Sequence, residues 1–176
     1  MLKEPSSKPL GFLRLAKEYL EAATMVQAPP EGAREAMAAR FSLPAYFLVC
    51  RSIELALKAF LCSRGVSTER LRRRSEFGHS LGKLSSESRR RRLGLIIRLS
   101  KQEVAWLNLL SESYSEKAFE YLDGDALVLR VPPYGPLHDL ACRLISALHT
   151  LCRQTAFGRP PRSAKQPKVL LLGVPV

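Results

Sequence analysis

The sequence is short of acid. Sixteen Asp and Glu stand against 28 Lys and Arg, and the formal net charge at pH 7 is +12. Cysteines are few, four in all, and no two form a C-x-x-C pair. Cys50 and Cys62 lie twelve positions apart on one predicted helix, about 18 Å at the helical rise, and cannot bridge each other. Cys142 and Cys152, ten positions apart on another, are likewise too far from each other to bridge. Neither a disulfide framework nor a zinc ribbon is indicated, so free, buried thiols in a reducing compartment are expected. No stretch reaches the roughly 20 apolar residues of a membrane helix, because Arg51 interrupts the best candidate. The opening MLKEPSSKP lacks the apolar run of a signal peptide, and no internal repeat is found. A soluble, cytoplasmic protein without a membrane partner is the expectation.

What is present is a chain of 176 residues with 46% apolar side chains, enough for one domain with a real core. Its centre is YFLVCRSIELALKAFLCSRG at 46–65, a predicted helix apolar almost all the way round. A helix of that kind belongs in the middle of a bundle. Arg51, Glu54 and Lys58 interrupt it at i, i+3 and i+7, on one stripe. Such a stripe inside a buried helix needs partners and is read as an ion-pair network that fixes register. Ser42 is placed to cap the helix, Pro44 suits its first turn, and Gly65 supplies the stop.

Residues 1–9 read as a loose leader. Phe12, Leu13, Ala16, Leu20 and Ala23 then mark the apolar face of an earlier helix, with Arg14–Glu18 and Lys17–Glu21 as i,i+4 pairs on the other. Pro29, Pro30 and Gly32 end it, and Glu31 to Arg40 reads as a further short turn of helix. After Gly65 a loop carries Arg70, Arg72, Arg73 and Arg74. Gly78-His79-Ser80-Leu81 opens a third helix that ends in Arg89, Arg90, Arg91 and Arg92, placed for the negative end of its dipole. Residues 93–98 fit either a buried turn or a helical start. Ser100 and Glu103 form a capping box for a fourth helix, whose far end carries an acidic ladder of Glu112, Glu116 and Glu120. The segment 126–136 reads as a short extended strap broken by two prolines. A fifth helix is expected over 137–155. The predicted architecture is all-α: a four- to five-helix domain over 1–156, with the strap near 126–133. A basic, Pro-rich tail over 157–176 is read as loose, its apolar end docked or exposed.

The order RLAKEYLEAA at 14–23, then the helix at 46–65 with its E-L-x-L-K-A-x-L core, then GHSL at 78–81, resembles the HEPN family of helical bundles. Lys117-Ala118-Phe119-Glu120-Tyr121 is similar to a segment of its bacterial branch, and the likeness covers roughly 10–155. The resemblance implies a bundle that is commonly dimeric and linked to RNA. Members include metal-independent ribonucleases, toxins paired with a nucleotidyltransferase antitoxin, and non-catalytic RNA-binding or nucleotide-binding accessories. It implies no cofactor. The catalytic signature that it implies is Arg, four to six residues, then His. The His serves as acid or base at the ribose 2′-hydroxyl or leaving oxygen, and the Arg neutralises the phosphorane.

Two places meet that spacing. One is Arg72, Arg73 or Arg74 with His79, where Arg74 is followed by the polar Ser75. His79 also has a structural reading as the helix-opening histidine of G-H-S-L, and that reading weighs more. The other is Arg143 with His149, where Leu144 departs from the polar preference. Six helical residues turn about 600°, so on a straight helix those two side chains diverge and would meet only across a dimer seam. His138 with Cys142 and His149 with Cys152 have ordinary helical spacings, and one straight helix cannot converge four ligands on a metal. Residues 64–101 carry twelve basic and three acidic side chains, while 102–125 carry one and six. Arg70, Arg72, Arg73, Arg74, Arg89, Arg90, Arg91 and Arg92 therefore form a candidate RNA-binding patch. A partner surface, or the acidic ladder of the same or a second chain, is the rival use. A homodimer, an antitoxin or a nucleotidyltransferase is the protein partner that the resemblance implies.

Overall fold

A computed structural model describes residues 8–28, 42–115 and 131–157, and within them the chain is all helix with no strand. The α-helices are α1 (Lys8–Gln27), α2 (Leu43–Ser63), α3 (Thr68–Arg72), α4 (Leu81–Arg90), α5 (Lys101–Ser115) and α6 (Tyr134–Phe157), with a 3-10 turn at Leu93–Leu95. None of them is long and apolar enough to cross a membrane.

Helix α2 forms where its boundaries dictate. The Ser42 hydroxyl accepts from the Ala45 N–H, and Pro44 occupies the first turn, where a missing N–H costs nothing. At the other end Gly65 takes φ +86, a left-handed conformation that costs glycine least. The Gly65 N–H then donates to the Cys62 carbonyl and the Val66 N–H to the Leu61 carbonyl, the paired bonds of a Schellman stop. Val66 is itself buried, completing the stop with an apolar contact.

Between these ends α2 is covered on all sides. Leu13, Ala16, Leu20 and Ala23 of α1 are buried along it, and the Ser52 hydroxyl donates to the Ala16 carbonyl at 2.7 Å. Helix α6 lays Leu137, Leu140, Leu144 and Leu148 against both α1 and α2. Leu81 and Leu84 of α4, with Leu107, Leu110 and Tyr114 of α5, close the remaining side. Burial of each such leucine stabilises the fold by about 1.5–3 kcal/mol, which is why the helix at the crossing point carries no continuous polar face. Two tyrosines tie the approach to α6 into the bundle. The Tyr46 hydroxyl donates to the Pro132 carbonyl at 2.8 Å, and that of Tyr134 to the Ala23 carbonyl at 3.1 Å.

Several boundaries differ from the sequence reading. Lys8 and Pro9, assigned to a loose leader, belong to α1, and Pro9 is buried. The loop expected after Gly65 contains α3, because the Ser67 hydroxyl accepts from the Arg70 N–H and caps one turn. The 93–98 segment is a tight turn, its Leu93 buried and its Leu95 77% exposed. Helix α6 starts at Tyr134, three residues before the expected start. Pro136 falls in its first turn, where it has no N–H to lose, so the end of the expected strap is helical. At its far end α6 runs on to Phe157, the first residue given to the tail. The turn over Glu31 to Arg40, the 126–130 part of the strap, Glu116, Glu120, the 117–121 segment and the tail beyond 157 lie outside the described residues. The side chain of Glu112 does too.

Candidate functional site

The charged stripe of α2 is a converging cluster. Glu54 is fully buried, and each of its carboxylate oxygens is multiply engaged. Oε1 accepts from Lys58 Nζ at 2.6 Å and from Arg51 Nη1 at 2.9 Å. Oε2 accepts from Arg51 Nη1 at 2.9 Å and from the Tyr114 hydroxyl at 2.7 Å, and it lies 3.2 Å from His79 Nδ1. A carboxylate offers about four lone-pair directions, so this one is saturated. Burial pushes the Glu54 carboxyl up, but the cations Lys58 and Arg51 outweigh it and hold the group below the ordinary carboxylate range. Burial likewise lowers Arg51, while Glu54 and Tyr114 raise it further, so the net direction is up. The Tyr114 phenol is pushed well above its ordinary value by burial and by the neighbouring carboxylate, and stays protonated as a donor.

His79 and Arg51 bring this cluster to the surface. The imidazole side chain is 52% exposed and that of Arg51 28%, whereas Glu54 beneath them has no exposure. With Nδ1–H donating to Glu54, the lone pair of the ring lies on Nε2. Among the described residues Nε2 makes no hydrogen bond. Arg51 Nη1, 3.3 Å from Nδ1, is then a neighbour whose hydrogens go to the carboxylate. Aromatic rings frame the pair: Tyr19 lies 5.9 Å below the Arg51 guanidinium, and Tyr114 meets the His79 ring edge-on at 6.3 Å.

The turn that delivers His79 depends on Gly78. Its φ is +50, and a Cβ placed there would stand 3.1 Å from the Arg74 Cα, a backbone atom that cannot swing away. The Ser80 hydroxyl then caps α4 by accepting from the Lys83 N–H, and it pairs with Ser111 of α5 at 2.9 Å. Gly78→Ala is expected to cost about 1–2 kcal/mol, the usual penalty for a left-handed alanine. Urea denaturation measures this, and histidine NMR signals should report a shifted His79.

The sequence spacing pointed His79 at Arg72–Arg74. The structure instead sets its Nδ1 against Glu54 as hydrogen-bond partner and Arg51 as neighbour, while Arg74 is exposed on the preceding turn. Within the chain Arg143 and His149 are not bonded to each other, as expected on a straight helix. Arg143 Nη1 is 2.5 Å from Glu103 Oε1 and Nη2 donates to the Arg98 carbonyl, so this arginine ties α6 to the start of α5. His149 lies exposed farther along α6. Glu103 is doubly used, since it also accepts from the Ser100 N–H in the capping box while its own N–H donates to Ser100 Oγ. Nothing in the sequence spacing of Tyr114 or Tyr19 points to Glu54 or Arg51.

The arginine patch is partly paired within the chain. Glu76 takes Arg70 at 2.5 Å and Arg73 at 3.5 Å. Glu87 takes Arg90 and Arg91, each at 2.6 Å, and the Arg90 hydrogen bonds chiefly hold its carboxyl down to about 2. Arg91 also donates to the Arg64 carbonyl, satisfying the end of α2. Among the described residues Arg72, Arg74, Arg89 and Arg92 have no carboxylate partner, and all four are exposed. Arg92 adopts a left-handed backbone at φ +66. No group of three or more His, Cys, Asp or Glu side chains fit to hold a metal occurs among the described residues. Comparison of the chain with protein-family models, with curated proteins and with solved structures finds no match.

Proposed function

We propose that this chain is a HEPN-type helical protein that engages RNA. The phosphodiester would meet Arg51 and His79, and the exposed arginines Arg72, Arg74, Arg89 and Arg92 would hold the flanking backbone. One observation carries the reading: a half-exposed imidazole and a partly buried guanidinium stand 3.3 Å apart over a buried carboxylate that orients both. In such a site His79 Nε2 accepts the ribose 2′-hydroxyl proton as the 2′-oxygen bonds to phosphorus. The bond from phosphorus to the 5′-oxygen breaks, that oxygen takes up a proton, and a 2′,3′-cyclic phosphate remains. Arg51 offsets the charge gathering on the phosphoryl oxygens. No metal enters this scheme. Arg72, Arg74, Arg89 and Arg92 suit backbone contact, which carries affinity without sequence.

A non-catalytic reading has its own observation. The His79–Glu54 bond ties the turn before α4 to α2, which is a structural task in itself. On that reading the cluster is a core tie. The arginines then serve a protein partner, such as a second copy, an antitoxin or a nucleotidyltransferase.

Incubation with mixed RNA in EDTA decides between them. Cleavage to cyclic-phosphate ends that falls by about two orders of magnitude or more in His79→Ala supports the enzyme. Intact RNA at every protein concentration sinks it. RNA affinity should fall steeply with salt, and replacing Arg89 and Arg92 with alanine should flatten that slope by about two counterions. An unchanged slope assigns the patch to a protein partner.

A further inference from the structure

A second cluster lies where the C-terminal end of α1 faces the start of α6. There Thr24 Oγ1 is 2.9 Å from His138 Nε2, and His138 Nδ1 is 3.7 Å from Cys142 Sγ. The proton positions follow from counting hydrogens. The single Thr24 hydroxyl hydrogen is committed to the Leu20 carbonyl at 3.0 Å. Oγ1 must therefore accept from the imidazole, which puts the ring proton on Nε2 and the lone pair on Nδ1, facing the sulfur. The thiol proton then points at a base. The Tyr134 ring lies 6.0 Å from that of His138, tilted by 33°. A shallow cavity of about 290 Å³, bordered by Thr24, Tyr134, His138 and Asp139, opens beside the imidazole.

From this geometry we infer that Cys142 is a nucleophilic thiol, with His138 as its base, that exchanges with low-molecular-weight disulfides. The step balances without another reactant. The Cys142 S–H proton moves to His138 Nδ1 as Sγ attacks one sulfur of the incoming disulfide. The S–S bond of that molecule breaks, and its departing thiolate recovers the proton from His138. Cys142 is left as a mixed disulfide, and one small thiol is released. Burial and the nearby Asp139 keep the resting thiol protonated above its ordinary value, so the reaction needs a base in contact rather than a standing thiolate. Cys50 and Cys152 are buried, whereas Cys142 is half-buried and has an imidazole nitrogen 3.7 Å from its sulfur.

The test is incubation of the reduced full chain with glutathione disulfide, followed by intact mass and peptide mapping over time. Cys142 should be modified first, and His138→Gln should slow that modification by about tenfold or more. Should His138→Gln fail to fold, Thr24→Ala replaces it, because this exposed hydroxyl is dispensable to the core but sets the tautomer. Slowing at Cys142 in the variant that folds supports the inference. An unchanged rate there, or modification of Cys62 ahead of Cys142, overturns it.

Discussion

Replacing Glu54 with glutamine should lower the unfolding free energy by about 3–5 kcal/mol, the range for removing one partner of a buried ion pair. The change is nearly isosteric, so the loss is electrostatic. Lys58, almost fully buried, and Arg51 keep their charges but lose the carboxylate that both had bonded. For a domain of this size the melting temperature should fall by roughly 10 °C. Tyr114→Phe, which deletes one donor and leaves the carboxylate three partners, should cost less, about 1.5–3 kcal/mol. The pH dependence has a definite sign. The folded Glu54 pKa is depressed, so its contribution is present above the ordinary value of 4.5 and disappears as pH falls below that through the folded value. The stability gap between the parent chain and Glu54→Gln should therefore be widest near neutrality and narrow on acidification. A gap of under about 1 kcal/mol at neutral pH would show that the buried network contributes nothing beyond packing.

Phe60→Ala should be of similar size, about 3–5 kcal/mol, through a different mechanism. Phe60 is fully buried on α2, where α1, α6, α4 and α5 surround the helix. Helices packed on several sides cannot all move inward, so a cavity remains and its cost is not relaxed away. Its ring also lies 5.3 Å from the Arg64 guanidinium. Urea denaturation should show a lower midpoint with an unchanged slope, since the same surface is exposed on unfolding. A changed slope would mean that the variant has loosened rather than lost one packing contact.

These two residues mark what the sequence could and could not tell. The central helix, the Ser42 cap, the Gly65 stop and the Ser100–Glu103 box were readable because each is a local device a few residues long. Membership of α2 in the middle of a bundle followed from its lack of a polar face. The ion pairs along its own stripe were readable from their spacing, but the partners that reach Glu54 from other elements were not. Tyr114 lies 60 positions from Glu54 and His79 25 positions away, and no period in the sequence connects them. The Arg–His spacing drew attention to Arg74, a neighbour along the chain, whereas the turn at Gly78 swings the imidazole back toward Arg51. Likewise the arginine runs read as free charge, because the two glutamates that neutralise half of them act through local geometry, Glu76 from the turn after α3 and Glu87 from the surface of α4, rather than through composition.

The two oxygens of Glu54 have a bearing on how the chain folds. Their donors come from α2 itself, from the turn before α4 and from α5, so the carboxylate leaves water only when three separate stretches have arrived. An intermediate with α1, α2 and α6 packed but α4 and α5 detached would keep that carboxylate hydrated and two cations on the surface. Such a species need not strand a buried charge, and the ordering of the Arg51–His79 pair becomes the last event of folding. Amide exchange should then reveal α4 and α5 opening together as one unit, at a lower free energy than α2. The candidate site would open with that unit, while the three-helix core beneath it stays closed.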